Sequence, residues 1–288
     1  MKPAPFAYEK PRSLAQVVDL LVRHGDDAKI LAGGQSLVAT LNMRLSAPAL
    51  LIDINGLSEL AQITVADGVL RIGALVRHTA LGASESVRRH APLLARAVPF
   101  IAHPAIRNRG TIGGSLAFAD PSAELPACVV ALGATLEITG PRGARKLPAR
   151  AFFTGLYQTA LGPGELLTAI ELPLGSPDCC CGFDELARRH GDYAMVGLAA
   201  QGRRASAGFG ALTLVFFGVG TGPVVASSAA AGLTAGSFDT ARLQTAQAAL
   251  AEDLDPPPDL HGSAKTKLHL ARVLLGRVMQ RMAAGDAA

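Results

Sequence analysis

At 288 residues, with 49% apolar and only 17% charged side chains, the chain holds material for about two domains with buried cores. That balance excludes an intrinsically disordered chain, which is poor in apolar residues and rich in net charge. The 27 basic and 23 acidic residues leave a formal charge of +4 and form no Lys/Arg-rich block, which excludes a nucleic-acid surface.

The opening residues, Met1 to Phe6, lack the long apolar core of a signal peptide, so the expected location is cytoplasmic. Ser13-Leu14-Ala15-Gln16 is a capping-box pattern that opens an amphipathic helix, with Leu14, Val17, Val18 and Leu21 on one face and Gly25 as the stop. A strand from Lys29 to Ala32 then runs into Gly33-Gly34, and Leu50 to Ile54 supplies a second strand. Residues 1–55 thus form a small α/β unit.

Ile63-Thr64-Val65 and Val69 to Ala74 flank Ala66-Asp67-Gly68, a hairpin signal. An apolar helix follows, with Pro92 in its first turn and Leu93, Leu94, Ala97, Val98 and Ile101 facing inward. A second hairpin spans Leu136 to Thr139 and the segment after Gly143, and Leu167 to Leu172 is a further strand. Residues 56–175 form a second α+β unit. Gly175-Ser176-Pro177-Asp178 reads as a linker to a C-terminal α+β domain over 176–288, an antiparallel sheet with helices around 239–251 and 263–284. In the last helix Leu268, Ala271, Leu275, Val278 and Met282 form an apolar stripe at helical spacing.

The uncharged run from Ala205 to Phe238 is long enough to raise a membrane question. Its glycines, Pro223, Ser227 and Ser228 break it, so it reads as core. Cysteine spacing argues against a metal or iron–sulfur site: Cys128 stands alone, and Cys179-Cys180-Cys181 are contiguous, without the spacers that let two sulfurs converge on one ion. The triple cysteine is expected in a loop.

Two glycine pairs carry the chemistry. Gly33-Gly34 and Gly113-Gly114 each follow an apolar lead-in and precede a hydroxyl, Ser36 or Ser115. Neither is a Rossmann fingerprint or a P-loop. Glycine lets backbone approach a ligand closely, and successive exposed N–H groups make an anion-binding concavity. Two such turns point to one large ligand with a diphosphate, gripped from two sides. Arg107 and Arg109 either add charge near that diphosphate or brace their own loop.

Ala32-Gly33-Gly34-Gln35-Ser36-Leu37 and Asn108-Arg109-Gly110-Thr111-Ile112-Gly113-Gly114-Ser115-Leu116 together resemble the FAD-binding medium subunit of molybdenum hydroxylases, the family of xanthine dehydrogenase and aerobic carbon monoxide dehydrogenase. The resemblance continues through Asp120-Pro121, Glu124-Leu125-Pro126, Arg188 to Ala194 and Asp259-Leu260-His261-Gly262-Ser263, and so covers the whole chain. It implies a p-cresol-methylhydroxylase-type FAD-binding fold: two α/β subdomains (about 1–55 and 56–175) holding FAD between them, plus the C-terminal α+β domain.

By the same resemblance, Ala32, Gly33, Gly34, Gln35 and Ser36, with Thr111, Ile112, Gly113, Gly114 and Ser115, would wrap the pyrophosphate through backbone N–H groups. Lys29, Leu31 and Leu37 would line the adenosine end. Ile101 and Leu167 would pack on the cofactor, Glu124 would bond a ribose or ribityl hydroxyl, and Tyr193 would stand near the isoalloxazine. The chain departs from the family pattern at Asp184-Glu185, where some members carry a lysine, and at Ala264 to Lys267, which lacks the usual tyrosine–arginine pair.

The resemblance also implies partners: a large subunit with the molybdopterin cofactor and a small one with two two-iron two-sulfur clusters, as a dimer of heterotrimers. This chain would then pass electrons through FAD to an external acceptor and carry no catalytic nucleophile, base or metal of its own. The holoenzyme substrate is expected to be N-heteroaromatic, with carbon monoxide and aldehydes as alternatives. A free-standing FAD-dependent reductase of the same fold and a scaffold that has lost FAD are the rival readings.

Overall fold

The computed structural model describes residues 2–176 and 178–285. Pro177 of the expected linker, like residues 286–288 of the expected C-terminal domain, falls outside them. The architecture is α+β, built from three sheets that matter for the site.

The first unit comprises β1 (Ala7–Glu9), α1 (Leu14–His24), β2 (Ala28–Leu31), α2 (Leu37–Asn42) and β3 (Leu50–Asp53). The strands are parallel in the order β1-β3-β2. Ser13 caps α1 by accepting the Gln16 amide at 3.3 Å, while the Gln16 carboxamide accepts the Arg12 amide at 2.7 Å, one residue short of a full capping box. Val17 and Leu21 bury against Leu50, Ile52 and Ile54.

The second unit contains β4 (Ile63–Ala66), β5 (Val69–Gly73), α3 (His78–Ala83), α4 (Glu85–His90), α5 (Pro92–Ala97), α6 (Pro104–Arg107), α7 (Ile112–Phe118), α8 (Glu124–Ala131), β6 (Thr135–Gly140), β7 (Gly143–Pro148), the short pair β8 (Phe153–Gly155) and β9 (Gln158–Thr159), and β10 (Leu166–Pro173). Its main sheet is antiparallel, β4-β5-β10-β6-β7. Asp67 and Gly68 both take positive φ (51° and 75°), the type I′ geometry whose twist suits a two-residue hairpin. The apolar helix is shorter than its pattern suggests. It ends at Ala97 and tightens into a 3₁₀ turn over Val98–Phe100, where Pro99 has no N–H to continue the ladder.

The third unit has β11 (Cys179–Leu186), β12 (Val196–Ala205), β13 (Gly208–Phe217), β14 (Val224–Val225), α9 (Ser227–Thr234), α10 (Thr240–Asp253) and α11 (Ala264–Ala284), with its sheet in simple antiparallel order. Strand alternation splits its side chains. Phe183, Ala199, Val215 and Phe217 join the core of the second unit, whereas Leu198, Ala200, Leu214 and Phe216 bury against the C-terminal helices. Helix α8 is buried along its whole length because it lies between this sheet and the second unit.

Two expectations are corrected here. The triple cysteine is not a loop: it opens β11, pairing with Gln201 to Arg203 of β12, and all four cysteines are free. The uncharged run from Ala205 to Phe238 includes β13, β14 and an unforeseen helix, α9. Among the described residues no helix is long and apolar enough to cross a membrane.

The Asp259 to Ser263 motif has a structural job. Lys267, only 3% exposed, pairs with the Asp259 carboxylate at 2.6 Å and donates to the Gly218 carbonyl at 3.0 Å. The Gly218 amide in turn donates to the Pro121 carbonyl at 2.8 Å, tying the third unit to the Asp120-Pro121 turn. Removing Asp259 would strand a buried ammonium, a change that costs about 3–5 kcal/mol when both partners are buried. Because the Asp259 side chain is 40% exposed, Asp259→Ala is expected to cost about 2 kcal/mol in urea unfolding, and no loss would show that water replaces the carboxylate.

Candidate functional site

A cavity of ≈ 690 Å³ lies between the first two units, with its rim completed by Gly191, Asp192 and Tyr193 of the third. It opens beyond the carboxyl end of β2, an edge strand of the parallel sheet, and the carboxyl ends of the strands are where open α/β sheets bind ligands. Leu21, Ala28, Ile54, Leu75 and Leu166 make one end apolar, while Asp120, Glu124, His103 and Tyr193 give the other its polar groups.

The first glycine segment is a nest. Among the described residues the amides of Gly33, Gly34, Gln35 and Ser36 donate to no protein acceptor. Gly34 takes φ +74°, and the Gln35 carboxamide turns back to the Gly33 carbonyl at 3.1 Å, so the loop holds its own shape. Four unspent N–H groups on a concave backbone suit a diphosphate.

The second segment works differently from the first, contrary to the symmetry of the sequence. Gly113-Gly114 is no free turn but the first turn of α7, capped by Thr111. Each amide from Ile112 to Ser115 already has a protein acceptor: Val76, Ala74, the Thr111 hydroxyl and the Thr111 carbonyl. What the glycines provide is proximity. A Cβ on Gly113 would lie 2.4 Å from Ala74, and a Cβ on Gly33 would lie 2.4 Å from the Arg109 carbonyl and 2.8 Å from Gly110 Cα. The two segments therefore touch, backbone to backbone.

A polar chain braces that contact. Tyr8 donates to Asp53 at 2.5 Å, Asn55 donates to Asp53 at 2.6 Å and to the Ala32 carbonyl at 2.8 Å, and Arg77 donates to Asn55 at 2.5 Å and to the Arg109 carbonyl. Arg107 resolves as a loop brace, donating to the Ile101 and Ala102 carbonyls at 2.8 and 2.9 Å.

Of the residues expected from sequence, Lys29, Ala32 to Leu37, Ile101, Thr111, Gly113 to Ser115, Glu124, Leu167 and Tyr193 all line this one cavity. Leu31 and Ile112 do not. Leu31 ends β2, and its carbonyl accepts the Ile54 amide at 3.1 Å; Ile112 is fully buried in the core beneath the cavity. Sequence reasoning missed His78, Gly110, Phe118, Leu161 and Glu165, which also line it.

The acidic end is electrostatically unusual. Burial lifts the Glu124 carboxyl from 4.5 to about 7, and Asp120 adds to the rise. Burial also lifts Glu185, half-buried on β11, to about 8, with Glu124 and Asp184 contributing. Glu165, by contrast, is held near 2 by two hydrogen bonds from Arg145, at 2.6 and 2.8 Å. When protonated, Glu124 can donate to a sugar or ribityl hydroxyl, and when ionised it can accept from one.

Residues 4–175 match the family model described as the FAD binding domain in molybdopterin dehydrogenase, and residues 182–282 match the CO dehydrogenase flavoprotein C-terminal domain. The chain is 39% identical, over 98% of its length and 95% of the relative's, to the 6-hydroxypseudooxynicotine dehydrogenase complex subunit alpha of Paenarthrobacter nicotinovorans. It superposes on quinoline 2-oxidoreductase from Pseudomonas putida 86 with a TM-score of 0.94, 38% identity and full coverage of both chains. It also superposes on carbon monoxide dehydrogenase from Hydrogenophaga pseudoflava with a TM-score of 0.96, 35% identity and 99% coverage of each. A cavity seamed by two glycine segments, set in a fold shared end to end with these proteins, places the chain: it belongs to the family of FAD-binding medium subunits of molybdenum hydroxylases.

Proposed function

We propose that FAD occupies this cavity and that the chain serves as the electron-transfer subunit of a heterotrimeric molybdenum hydroxylase. The observation that carries the reading is the set of four unspent amides from Gly33 to Ser36 facing a cavity sealed by the second glycine segment. In this assignment Gly33 to Ser36 hold the diphosphate, and Gly113-Gly114 let the opposite wall approach it. Lys29 and Leu37 line the adenosine end, Ile101 and Leu167 pack on the cofactor, Glu124 bonds a hydroxyl, and Tyr193 screens the rim. FAD, when bound, supplies redox chemistry, receiving electrons and handing them to an external acceptor. The chain's own residues orient the cofactor and exclude water from it.

The partners in this reading are a large molybdopterin-bearing subunit and a small subunit with two two-iron two-sulfur clusters, assembled as a dimer of heterotrimers in the cytoplasm. The substrate class is N-heteroaromatic, supported by the relatives named for quinoline and 6-hydroxypseudooxynicotine. A carbon monoxide dehydrogenase is the second reading, favoured by the superposition on the Hydrogenophaga protein.

Purification from the native source tests the proposal. The expected product is a red-brown complex of three chains that releases FAD on denaturation, reduced by a quinoline- or nicotine-like compound and not by carbon monoxide. Flavin in a chain that purifies alone with its own activity would favour the free-standing reductase; a colourless chain would favour the scaffold.

A further inference from the structure

Among the described residues, His78 has two buried ring nitrogens that protein acceptors leave poorly satisfied. It is 6% exposed, lines the cavity, and neither ring nitrogen makes a hydrogen bond of good geometry, its one polar contact being a weak one to the Thr111 backbone. A buried polar group left unpaired costs about 1–3 kcal/mol. Its position is held from the backbone: the His78 amide donates to the Gly110 carbonyl at 3.0 Å, at the start of α3.

The ring sits at the seam of the two glycine segments. A Cβ on Gly110 would lie 2.9 Å from the ring, and the same Gly110 is the residue against which Gly33 packs. We propose that His78 is a further binding residue of the cavity, a neutral imidazole that donates one ring N–H to a diphosphate oxygen of the dinucleotide. The inference rests on the reading of the cavity as the FAD site, and it adds a side-chain donor where the second segment's amides are already spent.

The electrostatics agree with the geometry. Burial, together with the charges of Arg107 and Arg77, pulls His78 down to about 4, against a weak hydrogen bond to the Thr111 backbone, which favours the charged ring. The imidazole is therefore uncharged at neutral pH and keeps one N–H to donate. The arginine charges that disfavour imidazolium favour an anion at the same seam.

His78→Leu and His78→Gln separate a binding role from a packing role. FAD and ADP are titrated into the full chain freed of flavin, followed by flavin fluorescence and by calorimetry, alongside thermal melts without ligand. A lost hydrogen bond to a charged group corresponds to about tenfold or more in affinity. His78→Leu is expected to weaken FAD and ADP by that factor while melting at or above the wild-type temperature, because it removes unpaired buried nitrogens. His78→Gln, which keeps a donor, is expected to stay within about threefold of wild type. Wild-type FAD affinity in His78→Leu would overturn the proposal, as would a lower melting temperature with affinity lost equally in both variants. A wild-type chain that takes up no FAD would overturn the reading of the cavity, and His78's role with it, before any variant is made.

Discussion

Gly33→Ala is expected to weaken FAD binding by about 10–100-fold, and Gly33→Val to do so more severely. The added Cβ would lie 2.4 Å from the Arg109 carbonyl oxygen and 2.8 Å from Gly110 Cα, and both are backbone atoms that cannot rotate away. Overpacking of this kind costs about 1–3 kcal/mol, and each 1.4 kcal/mol is about tenfold in affinity. The cost falls on binding because relief requires the two glycine segments to part, which opens the seam over the diphosphate and strains the bracing from Arg77. Gly210→Ala is the control. A Cβ there meets only Ala205 at 3.7 Å, so flavin content should be unchanged. Wild-type FAD affinity in Gly33→Ala would show that the seam plays no part in binding.

Glu124→Gln is expected to stabilise the flavin-free chain by about 3 kcal/mol at pH 8.5 and by less than about 1 kcal/mol at pH 5. The sign follows from linkage. A carboxyl whose folded pKa rises from 4.5 to about 7 binds more protons folded than unfolded across that interval, so its contribution is intact below 4.5 and lost as pH rises through 7. Glu185, near 8, acts in the same direction. His78, depressed from 6.5 to about 4, acts oppositely: its contribution is intact above 6.5 and lost as pH falls through 4. Above pH 6.5 the His78 effect is complete and the raised carboxyls dominate, with the buried thiols Cys128 and Cys181 shifted in the same direction, so wild-type stability should fall from pH 6.5 to 8.5. Urea unfolding at pH 5 and 8.5 checks this. An equal effect of the substitution at both values would mean that Glu124 is ionised at little cost.

Where sequence and structure agree, the signal was local chemistry. Asp67-Gly68 can take two consecutive positive φ values, and the hairpin formed there. Ser13 and Gln16 could cap a helix start, and they do. The glycine segments could be recognised as partners, yet not their division of labour. Gly113-Gly114 reads as an anion-binding turn because glycine frees the backbone and lets it approach a ligand, whereas the structure uses the pair in a helix so that α7 can press on Ala74.

What stayed hidden depends on contacts far apart in the chain. Helix α9 is a run of Ser, Ala and Gly with little apolar periodicity, and its first amides, Ser228 and Ala229, are capped by the Asp253 carboxylate from α10, both at 2.9 Å. The triple cysteine becomes a strand only because β12 pairs with it. His78 lies outside both motifs, and no feature of its neighbours in the sequence shows that Gly110 will cover it.

The structure of the full chain crystallised with FAD tests the central claim most directly. The account predicts one FAD in the cavity between the first two units, its diphosphate on the amides of Gly33 to Ser36. The Glu124 carboxyl should then lie within hydrogen-bond distance of a sugar or ribityl hydroxyl. A diphosphate bound elsewhere, or those four amides turned onto protein acceptors in the complex, would contradict it.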